Sequence, residues 1–305
     1  MNTPWGEIPV QDAHVHFFSH SFFTALAAQK GQGESVADIG HTLGWQMPLP
    51  EHERLAESWA HELDRHHVAK AALIASVPGD EDSVAAAIAH LPGRFHGYFM
   101  VNPVSPDAAA RVEAGLTRKG LRGVCLFPAM QGYSMHDPRV RPILDVAATQ
   151  PGCVVFVHCG VLSVGVRRKL GLPSPFDMRF SNPIDMHAIA LKYPKLHFVV
   201  PHFGAGYFRE ALMLCDLCPN VYLDTSSTNS WTRYEPSHAD LKTVFRHALE
   251  IVGPRRLLFG SDSSFFPRGW HSAIFEIQSR AFYEMGISAD DARLIFGENL
   301  ARLLS

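Results

Sequence analysis

Short apolar runs rich in β-branched and aromatic residues alternate along the chain with longer amphipathic segments. Most of the runs are continuously apolar, which is typical of parallel strands that are covered on both faces. Amphipathic segments between such strands are typical of crossover helices. The predicted strands are Ile8–Asp12, Ala71–Ser76, Phe95–Val101, Gly123–Phe127, Val154–Val157, His197–Val200, Val221–Asp224 and Arg256–Phe259.

The intervening segments predict one helix after each strand. Several begin with proline directly after a polar residue, as at Pro138 and Pro183, where the missing amide hydrogen costs nothing. Two short closing helices are expected near the carboxyl terminus, within Ala289–Leu304. The other predicted helices are Pro50–His67, Asp82–His90, Pro106–Lys119, Pro138–Thr149, Pro183–Lys192, Gly206–Cys218, Ser237–Val252 and Ser272–Met285.

Eight strand–helix pairs within 305 residues predict an α/β fold of the (β/α)8 TIM-barrel type, with a doubly wound open sheet as the alternative. No linker, repeat or low-complexity tract interrupts the pattern, so residues 1–305 are predicted to form a single domain. Two connections are long, at 17–49 and 159–181. Both follow the carboxyl ends of strands, where barrel enzymes place their active sites, so both are predicted to cover such a site.

Composition and charge narrow the classes of function. The 30 acidic and 27 basic residues give a net charge of −3 without a basic stripe, which argues against a nucleic-acid or membrane-surface partner. No apolar window approaches the roughly 18 residues of a membrane helix. Five cysteines and an amino terminus without a signal-like pattern predict a cytoplasmic protein. The expected partner is a small-molecule substrate, and a homodimer is left open.

Side chains that can bind metal follow several predicted strands. The run Asp12–His16 closes the first strand, and the two-residue spacing sends His14 and His16 to the same side. His158, His202 and Asp262 end the fifth, sixth and eighth strands. Each alone has an ordinary explanation, such as a satisfied core histidine or a helix cap at Asp262. Together they predict a metal-associated site at the mouth of the barrel.

Seven short motifs occur in order along nearly the whole chain: Asp12–His16, Leu121–Pro128, Val157–Gly160, Pro201–Gly204, Leu223–Ser226, Gly260–Asp262 and Gly297–Leu304. With these motifs the chain resembles the amidohydrolase superfamily. The resemblance is to the branch often called amidohydrolase 2, which includes relatives of aminocarboxymuconate semialdehyde decarboxylase. It implies a (β/α)8 barrel enzyme that depends on a divalent metal.

The resemblance also implies roles for individual residues. His202 is expected to assist catalysis, and Asp262 to accept a proton as well as to bind metal. Binuclear relatives use a carboxylated lysine from strand four, but this stretch offers Cys125 and no lysine, so one metal is expected. Some lactonases of this branch keep the histidines and work without metal. The implied ligands of one divalent ion, with zinc expected, are His14, His16, His158 and Asp262.

The expected reaction is hydrolysis of a small lactone, ester or amide. The alternative is non-oxidative decarboxylation of an unsaturated or aromatic carboxylate in the same site, and a non-catalytic ligand-binding barrel is a third reading. An arginine fork matches a carboxylate, so a carboxylate-bearing substrate is expected. The residues predicted to bind it come from the two long connections: Arg167, Arg168, Arg179, Trp45 and Phe17.

Overall fold

Eight parallel strands form the centre of the molecule. A computed structural model of the chain describes residues 1–227, 230–235 and 239–305. A two-stranded hairpin, Asn2–Thr3 and Gly6–Glu7, precedes the central strands. The central strands are β1 (Gln11–Phe17), β2 (Lys70–Ala75), β3 (Phe95–Val101), β4 (Gly123–Leu126), β5 (Val154–Val157), β6 (His197–Val200), β7 (Val221–Asp224) and β8 (Leu257–Leu258).

Helices connect the strands and follow the last one. Shorter 3-10 turns occur at Met178–Phe180, Pro183–Met186, Pro201–Gly204, Ser230–Tyr234 and Pro254–Arg256, and a π-helical turn at Leu294–Glu298. The α-helices are α1 (His20–Lys30), α2 (Val36–Leu43), α3 (His52–Arg65), α4 (Glu81–His90), α5 (Ala108–Thr117), α6 (Pro128–Gln131), α7 (Val140–Ala148), α8 (Gly165–Lys169), α9 (His187–Lys192), α10 (Phe208–Leu217), α11 (Leu241–Ile251), α12 (Ser272–Glu284), α13 (Ala289–Arg293) and α14 (Asn299–Leu303).

The strands pair in parallel and in chain order from β1 to β8. The ends of this sheet also meet. The amide of Ala13 donates to the carbonyl of Phe259 at 2.8 Å, and the amide of His16 donates to the carbonyl of Ser263 at 2.7 Å. These bonds nearly close the sheet into a cylinder, which confirms the predicted TIM barrel and excludes the open sheet.

The hydrophobic core has two layers, as the alternation of side chains along barrel strands requires. Inside the barrel, Tyr98, Met100, Phe156 and other inward-facing residues pack together. Leu300, Leu303 and Leu304 from α14 and its end join this inner cluster. The outer layer packs the opposite faces of the strands against the surrounding helices. The carboxyl-terminal helix therefore contributes to the interior of the barrel.

The first strand differs from its prediction. The sequence predicted a strand over Ile8–Asp12, but β1 begins at Gln11 and extends to Phe17, so His14 and His16 lie within it. Polar and apolar residues alternate through this segment, and the buried apolar run before it is not part of the strand. The other seven predicted strands are confirmed to within one residue at each end.

The two long connections contain helices of their own. Residues 17–49 hold α1 and α2, and α2 begins with a capping box between Ser35 and Asp38. Residues 159–181 hold α8 and a 3-10 turn. The predicted helix Ser237–Val252 appears as α11, and its predicted first two residues lie outside the described ones.

Among the described residues, we find no helix with the length and apolar character needed to cross a bilayer. All five cysteines are buried and unpaired, as predicted for a chain without a disulfide framework.

Candidate metal centre and active site

A local irregularity in β1 directs its two histidines. The pairing of β1 with β2 shifts register between Asp12 and Val15. Such a shift re-aims the side chains that follow it. Val15 then packs into the outer core, while His14 and His16 line a cavity at the mouth of the barrel.

Three potential ligand atoms meet at this point. The Nε2 atoms of His14 and His16 lie 3.4 Å apart. Asp262 Oδ1 lies 3.3 Å from His16 Nε2 and 3.7 Å from His14 Nε2. Asp262 is held in place by a left-handed backbone conformation with a φ of 57° and by its amide, which donates to the carbonyl of His14 at 3.0 Å.

These separations fit a single divalent ion. Zinc holds nitrogen and oxygen ligands at about 2.0–2.2 Å in a tetrahedron, so neighbouring ligand atoms lie roughly 3.3–3.6 Å apart. The three separations observed here are close to those values. The described residues thus provide a group of two imidazoles and one carboxylate that could hold a metal ion.

The hydrogen bonds around both histidines leave their Nε2 lone pairs available. His14 Nδ1 donates to Asp224 Oδ2 at 2.7 Å. His16 Nδ1 lies 2.7 Å from Ser76 Oγ, and that hydroxyl donates to the carbonyl of Ile74, so the imidazole must donate to the serine. Metal-binding histidines characteristically donate their other ring hydrogen in this way.

His158 occupies a different position from the three converging residues. Its ring stacks on Phe127, with centroids 5.4 Å apart, and lines the same cavity. It is not a member of the three-residue group, and its buried Nδ1 has no hydrogen-bond partner among the described residues. Its predicted role as a ligand therefore remains a proposal.

His202 is presented by an unusual turn directly after β6. His202, Phe203 and Ala205 have φ values of 56°, 52° and 44°, in a region that non-glycine residues seldom occupy. The His202 ring centroid lies 5.0 Å from that of His14 and 5.3 Å from that of His158. The turn thus brings a third imidazole against the converging ligands.

Burial and neighbouring charges set the protonation of these groups. Burial lowers the pKa of His158 and of His202, so both rings are neutral near pH 7. Burial alone would raise the pKa of Asp262, but its close contacts with the neighbouring imidazoles lower it overall. Burial opposes the protonation of His14, yet the Asp224 carboxylate gives a net rise in its pKa. Asp262 is therefore an anion in this site.

The cavity above these residues has a volume of about 600 Å³ and carries positive charge at its rim. Among the described residues that line it, Asp262 is the one acidic side chain. Its aromatic lining includes Trp45 and Phe265, which stack with centroids 3.8 Å apart. The cationic lining residues are Arg168, Lys169, Arg233 and Arg268.

Only part of the predicted substrate-binding set reaches this cavity. Arg168 and Trp45 line it. Phe17 does not, because its side chain points away from the barrel axis and is fully buried in the outer core; the adjacent Phe18 lines the cavity instead. The role of Phe17 as a substrate contact stays a prediction that this placement does not support.

Two of the three predicted arginines are held elsewhere. Arg167 donates to the carbonyl of Pro173 and to Gln29. Arg179 is exposed and pairs with Asp177. Neither is among the described residues that line the cavity, and their role as substrate contacts stays a prediction.

Several lining or supporting residues were missed. Arg268 follows β8, where its guanidinium lies 4.5 Å from the Phe265 ring and bonds to Ser264 Oγ at 3.1 Å. Asp224 ends β7 and could have been found, because it is a carboxylate at the carboxyl end of a predicted strand. Ser76 and Arg268 carry no comparable sequence signal.

Known structures with the same fold include a decarboxylase and a hydrolase. The 5-carboxyvanillate decarboxylase LigW from Sphingomonas paucimobilis superposes with a TM-score of 0.67 at 17% identity, covering 98% of this chain and 99% of that one. A probable 2-pyrone-4,6-dicarboxylic acid hydrolase from Acinetobacter baumannii, with citric acid bound, gives 0.63 at 16% identity, covering 97% and 99%. A zinc-bound amidohydrolase from Burkholderia multivorans gives 0.59 at 18% identity, covering 97% and 98%. At these identities the likeness shows the fold.

Sequence comparison identifies the family. The curated protein fluG of Emericella nidulans is 28% identical over 171 residues, which are 55% of this chain and 18% of that protein, so the chain spans about a fifth of its length. The amidohydrolase family model, Amidohydro_2, matches residues 12–305, from the first residue of the Asp12–His16 motif to the end of the chain. The chain therefore belongs to the amidohydrolase family.

Proposed function

We propose that this protein hydrolyses a small, carboxylate-bearing lactone, ester or amide with the help of one divalent metal ion, with zinc as the expected metal. The observation that carries the proposal is the convergence of His14 Nε2, His16 Nε2 and Asp262 Oδ1 at 3.3–3.7 Å, on the floor of a cavity large enough for a small organic molecule. His158 is proposed as a further ligand from the same cavity.

Each residue of the site has a distinct task in this reaction. A bound metal ion would polarise a substrate carbonyl and lower the pKa of a water molecule. Asp262, which is an anion in this site, accepts the proton of the attacking water. His202 stands beside the reacting group and stabilises the oxygen on which negative charge develops. The hydrogen bond to Asp224 orients His14 throughout.

The charge of the cavity supports an anionic substrate. Arg168 and Lys169, which belong to α8, line the cavity together with Arg268, which follows β8. Arg268 Nε is buried and has no hydrogen-bond partner in the described part of the chain, so part of this guanidinium is available to an acceptor. A carboxylate would satisfy such a donor, and the Trp45–Phe265 pair offers an aromatic surface to a planar ring.

Decarboxylation is the second candidate, because the same cations would hold the carboxylate that leaves. A single experiment separates the two reactions. The protein, with its metal content measured, is given a panel of carboxylate-bearing lactones, esters, amides and unsaturated or aromatic acids in ¹⁸O-labelled water. Hydrolysis puts one ¹⁸O atom into the product without releasing CO2. Release of CO2 without ¹⁸O in the remaining product would reject hydrolysis in favour of the lyase.

The five buried, unpaired cysteines suit a reducing compartment, and we keep the cytosol as the proposed location.

A further inference from the structure

We propose that Ser226 fixes the ring hydrogen of His202 on Nε2, so that His202 meets the substrate as a hydrogen-bond donor and not as a base. Ser226 is then a positioning residue that acts through His202. The role deepens the proposed hydrolysis, on which its catalytic meaning rests.

Ser226 lies between two imidazoles. It follows β7 by two residues and is fully buried. Its Oγ is 2.9 Å from His14 Nδ1 and 2.9 Å from His202 Nδ1. One hydroxyl group, which has one hydrogen, therefore contacts two ring nitrogens, and the direction of each hydrogen bond can be worked out.

Asp224 decides the direction of the first bond. Its Oδ2 accepts from His14 Nδ1 at 2.7 Å, and its Oδ1 accepts from the backbone amide of Ser226. An ionised carboxylate only accepts hydrogen bonds, so His14 carries its hydrogen on Nδ1. Ser226 Oγ can approach that N–H group only as an acceptor.

The second bond then follows. The Ser226 hydroxyl still has its own hydrogen to donate, and His202 Nδ1, at 2.9 Å, is the acceptor that we assign to it. A neutral imidazole carries one hydrogen, and if Nδ1 is the acceptor, the hydrogen is on Nε2.

This tautomer assigns complementary roles to the two candidate groups. His202 Nε2–H can donate to a carbonyl oxygen that gains negative charge during attack by water. The same nitrogen cannot take a proton from that water, so this task stays with Asp262. Without the Ser226 hydroxyl, His202 Nδ1 loses its donor and the preference for the Nε2–H form weakens.

Histidine tautomers can be read directly by NMR. The two ring nitrogens of ¹⁵N-histidine differ widely in chemical shift according to which one bears hydrogen, and two-bond ¹H–¹⁵N correlations distinguish Nδ1 from Nε2. The sample is the protein as purified, with its metal content measured. The His202 signals are assigned by their loss in His202→Gln.

In the parent protein we expect His202 Nδ1 at a shift typical of a bare nitrogen and Nε2 at a shift typical of N–H. In Ser226→Ala the two shifts should move toward each other as the tautomers mix. Ser279→Ala is the matched control, because this buried serine donates to a carbonyl of its own helix, and it should leave the His202 signals unchanged.

A hydrogen on Nδ1 in the parent protein would overturn the proposal. So would His202 shifts in a folded Ser226→Ala variant that equal those of the parent. The measurement on the parent needs no variant, and neither measurement needs substrate. Failure of the tautomer assignment is therefore distinct from failure of the proposed hydrolysis, which the ¹⁸O experiment tests.

Discussion

His14 Nε2 and His16 Nε2 lie 3.4 Å apart, on residues of one strand that are separated only by Val15. Each ring donates the hydrogen of its other nitrogen to a neighbouring side chain, Asp224 for His14 and Ser76 for His16. The two lone pairs consequently face the same point. Two such acceptors repel each other unless a cation lies between them. The proposed metal site is therefore centred on this pair.

Asp262→Asn should lower turnover by on the order of 10² or more, because the amide keeps the shape of the side chain but loses its charge and basicity. The measurement is kcat, with the metal content determined on the same sample. Asp137→Asn is a control for the substitution, since Asp137 pairs with Arg139 and does not line the cavity. Unchanged turnover with metal retained would leave Asp262 with a purely structural role.

Arg168→Met should raise KM about tenfold or more for an anionic substrate, because hydrogen bonds to charged groups are worth roughly 1.5–3 kcal/mol. Methionine preserves much of the apolar stem. Arg179→Met is the matched control from the same connection, since Arg179 is exposed and pairs with Asp177. Equal KM values for the two variants would show that Arg168 does not recognise the substrate.

Gly160→Ala should disturb the turn that presents His202. Gly160 has a φ of 79°, and a Cβ there would lie 1.9 Å from the carbonyl oxygen of Gly204 and 2.5 Å from that of Ala205. The backbone must therefore move. We expect this movement to lower the free energy of unfolding by roughly 2 kcal/mol or more, in addition to the loss from placing alanine at a positive φ.

Gly171→Ala provides the comparison, because Gly171 has a φ of 69° and open space where its Cβ would lie. This variant should lose only about 1 kcal/mol of unfolding free energy, because alanine is unfavourable at a positive φ. The measurement is the free energy of unfolding in urea. Equal losses for the two variants would show that the close approach at Gly160 does not constrain the turn.

Acid should destabilise the protein through His96 at the start of β3. Burial, helped by Lys70 and Arg122, lowers the His96 pKa to about 4, and no described residue forms a hydrogen bond with the His96 Nε2 atom. The unfolded chain binds this proton near pH 6.5 and the folded chain near pH 4. The contribution of His96 to the free energy of unfolding is therefore fully present above pH 6.5 and is lost as the pH falls from 6.5 to 4.

His96→Gln should therefore reduce the loss of unfolding free energy between pH 7 and pH 4.5 by about 1–2 kcal/mol. Urea titrations of the parent and the variant at both pH values measure this difference, with His61→Gln, at an exposed histidine of α3, as a control. The same loss in the parent and in His96→Gln would assign the acid sensitivity to other groups.

The strands were predictable because a strand covered on both faces reads as a continuous apolar run, and seven of the eight lie within one residue of their predicted ends. β1 was misplaced because it alternates polar and apolar residues around its register shift. The helices α1 and α2 were missed within residues 17–49, although Ser19 and Ser35 cap them and the Ser35–Asp38 capping box is visible in the sequence.

The site was predictable where it depends on strand ends, since the carboxyl ends of barrel strands meet at one mouth. His14, His16 and Asp262 meet there. The orientation of neighbouring loop residues was not predictable. Arg167 and Arg168 are consecutive on the short helix α8, and only its packing decides that Arg168 lines the cavity while Arg167 bonds to Pro173. The serine partners of the imidazoles were equally hidden, because they meet only in the folded barrel.

The most direct test of the account is elemental analysis of the protein purified without added metal, alongside His16→Gln. The account predicts about one equivalent of a divalent metal, with zinc expected, in the parent protein, and a large loss in the variant, because a site of three or four ligands loses one of them. Removal of the metal by a chelator should abolish activity, and restored metal should return it. A parent protein with full activity and reproducibly no bound metal would contradict the account.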